Sequence, residues 1–243
     1  MRFLTILTLP FLLLASESRS LAANNMAQGE PETLIGEQFR DLKEADPKGK
    51  LHQLSEYAGK GKWVLIDFWA SWCGPCQWEM PNVVEAYKKY HDKGLEIVGL
   101  SFDSDKDAWE NAIKYWDMPW IHLSDLKGGS SLAGRVYGIT GIPDNVLIDP
   151  EGTIVARDLR GPRLEAVLSN IFDSSTDTQP AIARMAAWIR ECDIALNDLR
   201  ATIDAHETNA EDRFAARQAH AGFTRERKRW VKKLEKHIDS ITE

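Results

Sequence analysis

The sequence predicts an α/β protein in which a mixed sheet is flanked by helices and is followed by a helical extension at the C-terminus. Apolar, strand-like runs alternate with helical segments between residues 34 and 172, which is typical of a sheet covered by helices. A tight-turn sequence joins two strands late in that stretch and adds an antiparallel hairpin. After residue 180, apolar residues recur at intervals of four and three, which predicts long helices.

The first strands of the predicted sheet are apolar runs separated by a helix. Residues 63–69 are almost continuously apolar, as expected for a strand buried on both faces. Residues 75–91 predict a helix that is interrupted at Pro81, and residues 95–100 predict the next strand. Residues 105–116 predict another helix, with aspartate or serine side chains available to cap it.

A β-hairpin and a helix complete the predicted α/β unit. Residues 146–149 and 153–156 are strand-like and flank a turn in which Pro150 and Gly152 occupy favourable positions. Residues 163–172 predict the closing helix. The order of elements therefore predicts a mixed sheet with helices on both faces.

The N-terminus predicts a cleaved signal peptide, with an uncleaved anchor as the alternative. Arg2 precedes an apolar run over residues 3–15, and residues 20–22 resemble a cleavage site. The run is too short to cross a bilayer comfortably as a helix. We therefore expect a periplasmic or otherwise exported protein. The predicted divisions are a signal peptide over 1–22, a linker over 23–33, the α/β domain over 34–172, a linker over 173–180 and a helical tail over 181–243.

The tail carries two apolar seams, which predict a helical hairpin or a coiled-coil homodimer. The seams consist of Ile182, Met185, Ile189, Cys192, Leu196, Leu199 and Ile203, and then, more weakly, of Phe223, Trp230, Leu234, Ile238 and Ile241. We expect Cys192 to act as a small buried apolar residue, although two copies would meet in a parallel dimer. Residues 225–237 are strongly basic, which fits a solvated helix face, an acidic partner or a lipid surface.

Composition restricts the chemistry that the chain can perform. The formal net charge is −7, which gives no general attraction to nucleic acid. Of the three cysteines, Cys73 and Cys76 form a Cys-x-x-Cys pair, which indicates redox chemistry or half of a metal site. A second cysteine pair is missing from the sequence, and its histidines lack ligand spacing, so we expect neither a metal nor a cofactor.

The dithiol lies where a buried strand ends and a helix begins. Free N–H groups at the start of a helix stabilise a thiolate, so Cys73 is the predicted nucleophile and Cys76 the predicted resolving thiol. Resolution needs a base, and Asp67 is predicted to be desolvated with a raised pKa because it interrupts an apolar strand. Glu79, about one helical turn beyond Cys76, is a further candidate for influencing the thiols.

The sequence around the dithiol resembles that of thioredoxins, and more closely the exported TlpA/ResA-like thiol-disulfide oxidoreductases. The resemblance covers about residues 34–172 and rests on the segments 64–76, 77–81, 98–103, 137–143 and 147–152. The second of these segments carries a glutamate and a proline after the second cysteine. It implies a thioredoxin-like fold with an added N-terminal hairpin, an insertion between the central strand and helix, and a cis bond at Ile142-Pro143. It also implies oxidised client proteins and a membrane-embedded electron donor as partners.

A client is expected to contact the surface around the thiols. Trp72 beside the redox pair is predicted to line this surface, together with Gly74 and Pro75 between the cysteines. The backbone of Ile142, before Pro143, is expected to pair with an extended client segment. Asp144, directly after Pro143, places an unusual charge near this surface.

We therefore expect an exported enzyme that reduces disulfides in exported proteins. The Gly-Pro dipeptide between the thiols is that of strongly reducing thioredoxins, which favours reduction over oxidation. One alternative is a peroxide-reducing enzyme of the peroxiredoxin type. Another is a binding or assembly protein in which the helical tail is the main functional part.

Overall fold

The computed structural model describes residues 34–173, 179–205 and 210–242. The predicted signal peptide over 1–22 and linker over 23–33 lie outside the described residues, as does most of the linker predicted over 173–180. In chain order, the strands are β1 (Lys43–Ala45), β2 (Leu51–Gln53), β3 (Trp63–Trp69), β4 (Leu95–Ser101), β5 (Ile121–Leu123), β6 (Asp144–Ile148) and β7 (Ile154–Arg157).

Five of these strands form one mixed sheet in the order β5-β4-β3-β6-β7. β4 is parallel to both β3 and β5, whereas β6 is antiparallel to both β3 and β7. The predicted mixed sheet is therefore confirmed, with β3 at its centre. β1 and β2 form a separate antiparallel hairpin, which is the N-terminal hairpin that the family resemblance implies.

The central strand β3 is buried along its whole length, as its continuous apolar run predicts. Its register places Asp67 between Gly99 of β4 and Asn145 of β6. One carboxyl group therefore lies inside an otherwise apolar strand, near the strand end that leads to the cysteines.

The helices are α1 (Gly74–Tyr90), α2 (Lys106–Tyr115), α3 (Leu132–Tyr137), α4 (Pro162–Phe172), α5 (Gln179–Asp204) and α6 (Ala210–Ser240), with 3-10 helices at Leu54–Glu56, His91–Lys93 and Gly128–Ser130. The predicted interruption at Pro81 is wrong, because α1 is continuous across it. A proline removes only one helical hydrogen bond, and the remaining turns of α1 hold the helix together. Asp105 caps α2 by accepting a hydrogen bond from the Ala108 N–H (3.1 Å).

Backbone from β1 or from the segment before it makes hydrogen bonds at both borders of the sheet. On β7, the Gly36 N–H donates to the Ile154 carbonyl (2.7 Å) and the Ile154 N–H donates to the Glu37 carbonyl (2.8 Å). Beside β5, the Ser124 N–H donates to the Ala45 carbonyl (3.0 Å). These bonds satisfy backbone groups that an open sheet edge would expose.

The tail forms a helical hairpin within one chain. The rings of Trp188 and Trp230 lie 6.1 Å apart, and Arg227 pairs with Asp193 at 2.5 Å, so α5 and α6 run antiparallel. The predicted helical extension is confirmed, and the first seam faces inward, with Cys192 buried.

The hairpin packs against the α/β domain. A Cβ atom at Gly36 would lie 2.9 Å from methyl groups of Ile189 and Val231, so both tail helices approach this backbone closely. Arg190 of α5 donates to the buried carboxylate of Asp149 at 2.5 Å. The contact between tail and domain is therefore both apolar and ionic.

The second seam differs in part from its prediction. Leu234 and Ile238 are buried as expected, but Phe223 is 38% exposed and Val231 is buried instead. Val231 packs against the α/β domain, and spacing within one helix does not reveal that contact. Across the three described ranges, no helix combines the length and the apolar character that crossing a membrane requires.

Candidate active site

Cys73 and Cys76 form a disulfide bond at the start of α1. Their Cα atoms are 5.2 Å apart, and both residues are buried, at 4% and 2% exposure. Because both residues are so little exposed, a partner that reacts with Cys73 has to contact the surrounding surface closely.

Cys73 is the N-terminal capping residue of α1. The backbone N–H of Cys76 lies 3.2 Å from the Cys73 sulfur and points toward it. In the reduced form the same N–H would donate to a Cys73 thiolate, and the partial positive charge of the helix N-terminus would add to this effect. The geometry therefore favours a reactive anion at Cys73.

The predicted cis bond at Ile142-Pro143 is confirmed, and it lies beside the disulfide. The Ile142 carbonyl oxygen is 3.6 Å from the Cys73 sulfur. Pro143 is buried and Ile142 is half-buried, whereas Trp72 is 63% exposed. The structure thus brings two segments that are far apart in sequence to the same sulfur.

Asp67 is buried in β3 behind this site, with 3% exposure. Burial, together with the smaller effect of the negative charges of Glu79 and Asp144, raises the pKa of Asp67 to about 7. The sequence predicts this raised pKa. A carboxyl group with such a pKa can exchange a proton at neutral pH.

Glu79 is half-buried and links α1 to the start of α4. One carboxylate oxygen accepts a hydrogen bond from the Gly161 N–H (2.7 Å), and the other accepts from the Asn82 amide (3.1 Å). Its charge acts on Asp67, as the raised pKa of that residue indicates. Glu79 therefore combines a structural contact with an electrostatic one.

Asp144 is not an isolated charge at the surface. It is 9% exposed and pairs with Arg157, which donates to its two carboxylate oxygens at 2.6 to 3.2 Å. Arg157 lies on the neighbouring strand β7, so this pair joins the two strands of the hairpin next to Pro143. The charge is balanced within the chain, and its effect on a client would be weaker than the sequence suggests.

The loop before Cys73 is held by Asp103, for which the sequence alone predicts no role. The Asp103 carboxylate accepts hydrogen bonds from the Ser71 N–H (3.0 Å), the Ser71 hydroxyl (2.6 Å) and the Ser101 hydroxyl (2.7 Å). The Gln77 amide donates to the Ser71 carbonyl (2.7 Å). The position of Asp103 just beyond the end of β4 is the signal that could have suggested this contact.

Trp78 is a second residue without a predicted role. It lies on α1 two residues after Cys76 and is 81% exposed. Its indole therefore presents a large apolar surface to solvent on the helix that carries the cysteine pair.

The chain matches the AhpC/TSA family over residues 35–157, which include both cysteines and Pro143. It is 33% identical over 142 residues to the thiol-disulfide oxidoreductase ResA of Bacillus thuringiensis subsp. konkukian, covering 58% of this chain and 79% of that relative.

Solved structures agree with this family match. The thioredoxin domain of a thiol-disulfide oxidoreductase from Bacteroides vulgatus has a TM-score of 0.52 and 33% identity, covering 57% of this chain and 97% of that one. A thiol-disulfide oxidoreductase from Bacteroides fragilis has a TM-score of 0.52 and 32% identity, with 55% and 98% covered. The chain therefore belongs to the AhpC/TSA family and is a thioredoxin-fold thiol-disulfide oxidoreductase of the TlpA/ResA-like kind.

Proposed function

We propose that the chain reduces disulfides in exported proteins, with Cys73 as nucleophile and Cys76 as resolving thiol. The observation that carries the proposal is the placement of the Cys73 sulfur at the N-terminus of α1, 3.2 Å from the Cys76 N–H. This placement lowers the free energy of a thiolate, which is the species that attacks a disulfide.

The reaction consists of two exchanges. The Cys73 thiolate attacks one sulfur of the client disulfide, forming a Cys73–client disulfide and releasing one client thiolate. The Cys76 thiolate then attacks the Cys73 sulfur, forming the Cys73–Cys76 disulfide and releasing the second client thiolate. Two electrons pass to the client, and the two released thiolates take up two protons.

Asp67 serves as the base that receives the Cys76 proton before the second exchange. Its raised pKa supports this role, because a carboxylate with an ordinary pKa would be a weak base at neutral pH. Glu79 acts indirectly, since its negative charge favours the protonated form of Asp67. Both assignments rest on electrostatics and burial.

The client lies over Trp72, Gly74 and Pro75 and pairs with the backbone at Ile142, beside Pro143. The 3.6 Å separation between the Ile142 carbonyl oxygen and the Cys73 sulfur supports this placement. A client segment joined to Cys73 would lie alongside that carbonyl, and its own N–H groups could donate to it.

In this proposal the chain is also exported, and electrons flow from it to the client. The sequence at residues 1–22 supports a cleaved signal peptide, and the Gly-Pro dipeptide supports reduction. The oxidised Cys73–Cys76 pair would then be reduced again by a membrane-embedded dithiol donor. N-terminal sequencing of the exported protein would test cleavage after Ala22, since a retained leader would contradict it.

The activity is tested by single turnover of the reduced protein with a disulfide-containing protein. We expect client thiols to appear as the Cys73–Cys76 disulfide forms, and Cys76→Ser to trap a covalent Cys73–client complex. Cys192→Ser is the matched control and should not trap clients, because Cys192 is buried in the tail. Absence of both client reduction and trapping would contradict the proposal and favour a binding role for the tail.

A peroxide assay addresses the remaining alternative. A peroxiredoxin-type enzyme would consume hydrogen peroxide with a single peroxidatic cysteine in another sequence context. We expect slow peroxide consumption relative to disulfide exchange. Faster reaction with peroxide than with any disulfide would replace the proposed function.

A further inference from the structure

Trp78 lies on the exposed side of α1, within one turn of the dipeptide between the two cysteines. It follows Gly74 by four residues and Pro75 by three, so all three occupy one face of the helix. Pro75 is also exposed, so this face is open to solvent as far as the disulfide.

The Trp78 side chain is directed along α1 toward the cysteine pair. Helical side chains lean toward the N-terminus and cover the preceding turn. For Trp78 that turn contains Gly74 and Pro75, which the proposed function places under the client. An indole that is 81% exposed leaves most of its surface available to a bound molecule.

A second exposed indole precedes the cysteine pair in the sequence. Trp72, which directly precedes Cys73, is 63% exposed. Because Cys73 itself is only 4% exposed, a client bonded to it has to rest on the surrounding surface, where exposed side chains such as Trp72 are available. Tryptophan buries a large apolar area in a contact and loses little side-chain entropy, which makes it a frequent centre of binding energy.

We propose that Trp78 is a specificity-determining residue that binds an apolar or aromatic side chain next to the client's cysteine. The inference rests on the proposed function and adds the class of client. Its occupant is the client segment itself, because Trp78 shares one helix face with Gly74 and Pro75, over which the proposed function places that segment. Clients with an apolar residue beside the cysteine are therefore reduced faster than clients with glycine there.

The test compares two disulfide peptides that differ only in having phenylalanine or glycine next to a cysteine. Hydroxyethyl disulfide serves as a small substrate that cannot reach Trp78. The rate constant for oxidation of the reduced protein is measured with each, for wild type, Trp78→Ala and Trp78→Phe. Tyr115→Ala is the matched control, since Tyr115 is 79% exposed on α2 and away from the cysteine pair in sequence.

We expect Trp78→Ala to lower the rate constant for the phenylalanine peptide by about tenfold, as for a residue central to an interface. The rate constants for the glycine peptide and hydroxyethyl disulfide should stay within about twofold of wild type, since no contact to them is lost. Trp78→Phe should retain most of the preference, and Tyr115→Ala should change none of the rates.

Three results would overturn the inference. An equal loss with all three substrates would assign Trp78 to the thiol chemistry, and no loss with the phenylalanine peptide would exclude the contact. A wild-type dimer that Trp78→Ala dissociates, measured by sedimentation, would show that a second copy covers the indole. Failure of the wild type to react with hydroxyethyl disulfide would instead contradict the proposed function itself.

Discussion

The Asp103 carboxylate accepts hydrogen bonds from both the backbone N–H and the hydroxyl of Ser71, at 3.0 and 2.6 Å. Ser71 stands two residues before Cys73, and its carbonyl is held by Gln77. All of the polar groups of Ser71 are therefore bonded within the site. These hydrogen bonds hold the loop that places Cys73 at the N-terminus of α1.

Ser71→Ala should lower the free energy of unfolding by about 1 kcal/mol, because one hydrogen bond to a buried carboxylate is lost. Asp103→Asn should cost more, since an amide cannot accept all of the bonds that the carboxylate accepts. Urea denaturation of the oxidised proteins measures both values. Equal stability of Asp103→Asn and wild type would contradict this account of the loop.

The pH dependence of client release should report on Asp67. Since the pKa of Asp67 is raised to about 7, the resolving step should accelerate as pH rises through 7 and the carboxylate becomes a base. Asp67→Asn should slow this step by roughly 10²-fold and remove the inflection. Release of a fluorescent peptide from a preformed Cys73–peptide disulfide measures the rate.

Glu79→Gln is the matched control for this measurement. Its amide oxygen can still accept the Gly161 N–H bond, while the negative charge that raises the pKa of Asp67 is removed. The inflection should therefore move to lower pH while the maximal rate is kept. An unchanged inflection in both variants would show that Asp67 is not the base.

The contribution of Asp67 to the stability of the oxidised protein should fall as pH rises from about 4 to 7. The folded chain holds a proton on Asp67 over that interval, whereas the unfolded chain, with a pKa near the ordinary value of 3.8, releases it. The slope approaches about 1.4 kcal/mol per pH unit for one group. Relative to wild type, Asp67→Asn should gain stability over the same interval, and parallel pH profiles of unfolding would contradict the buried carboxyl group.

Removal of the Arg190 side chain should weaken the contact between the helical tail and the α/β domain. Arg190 donates to Asp149 at 2.5 Å and to the Thr153 hydroxyl at 2.8 Å, and burial raises the pKa of Asp149. Arg190→Ala leaves the Asp149 carboxylate buried without this cation and should cost about 3 kcal/mol in unfolding free energy. Arg200→Ala, at an exposed position of α5, should cost little.

Limited proteolysis gives a second measure of the same contact. In Arg190→Ala the tail should be cut faster than in Arg200→Ala. Equal cleavage rates would show that apolar packing around Gly36 is enough to hold the hairpin in place.

Cys192→Ala should leave the pattern on non-reducing electrophoresis unchanged. The thiol lies at 1% exposure inside the intrachain hairpin, so two copies cannot meet without opening it. A disulfide-linked dimer of wild type that disappears in Cys192→Ala would contradict the hairpin and support a parallel coiled coil.

The parts of the fold that follow from local chemistry could be predicted from the sequence. β3 is a continuous apolar run, and the β6–β7 hairpin is marked by its turn residues. The cysteine pair marks its own position between strand and helix. By contrast, β5 has three residues and α3 has six, which is too short for a pattern to emerge.

Contacts between distant segments could not be predicted in this way. Glu79 and Gly161 are 82 residues apart, and nothing near either one indicates their hydrogen bond. The spacing of apolar residues in the tail predicts a buried face, but not whether its partner is the same chain or another copy. The ionic contact of Arg190 likewise depends on how the tail is placed on the domain.

The backbone hydrogen bonds at the two borders of the sheet also affect whether another polypeptide can pair with the sheet. Gly36 and Ala45, from one short stretch, bond to Ile154 on one side of the sheet and to Ser124 on the other. An extended segment of another polypeptide would otherwise be able to add to these borders. The sheet can thus resist edge-to-edge association while the loop at Cys73 stays available for disulfide exchange.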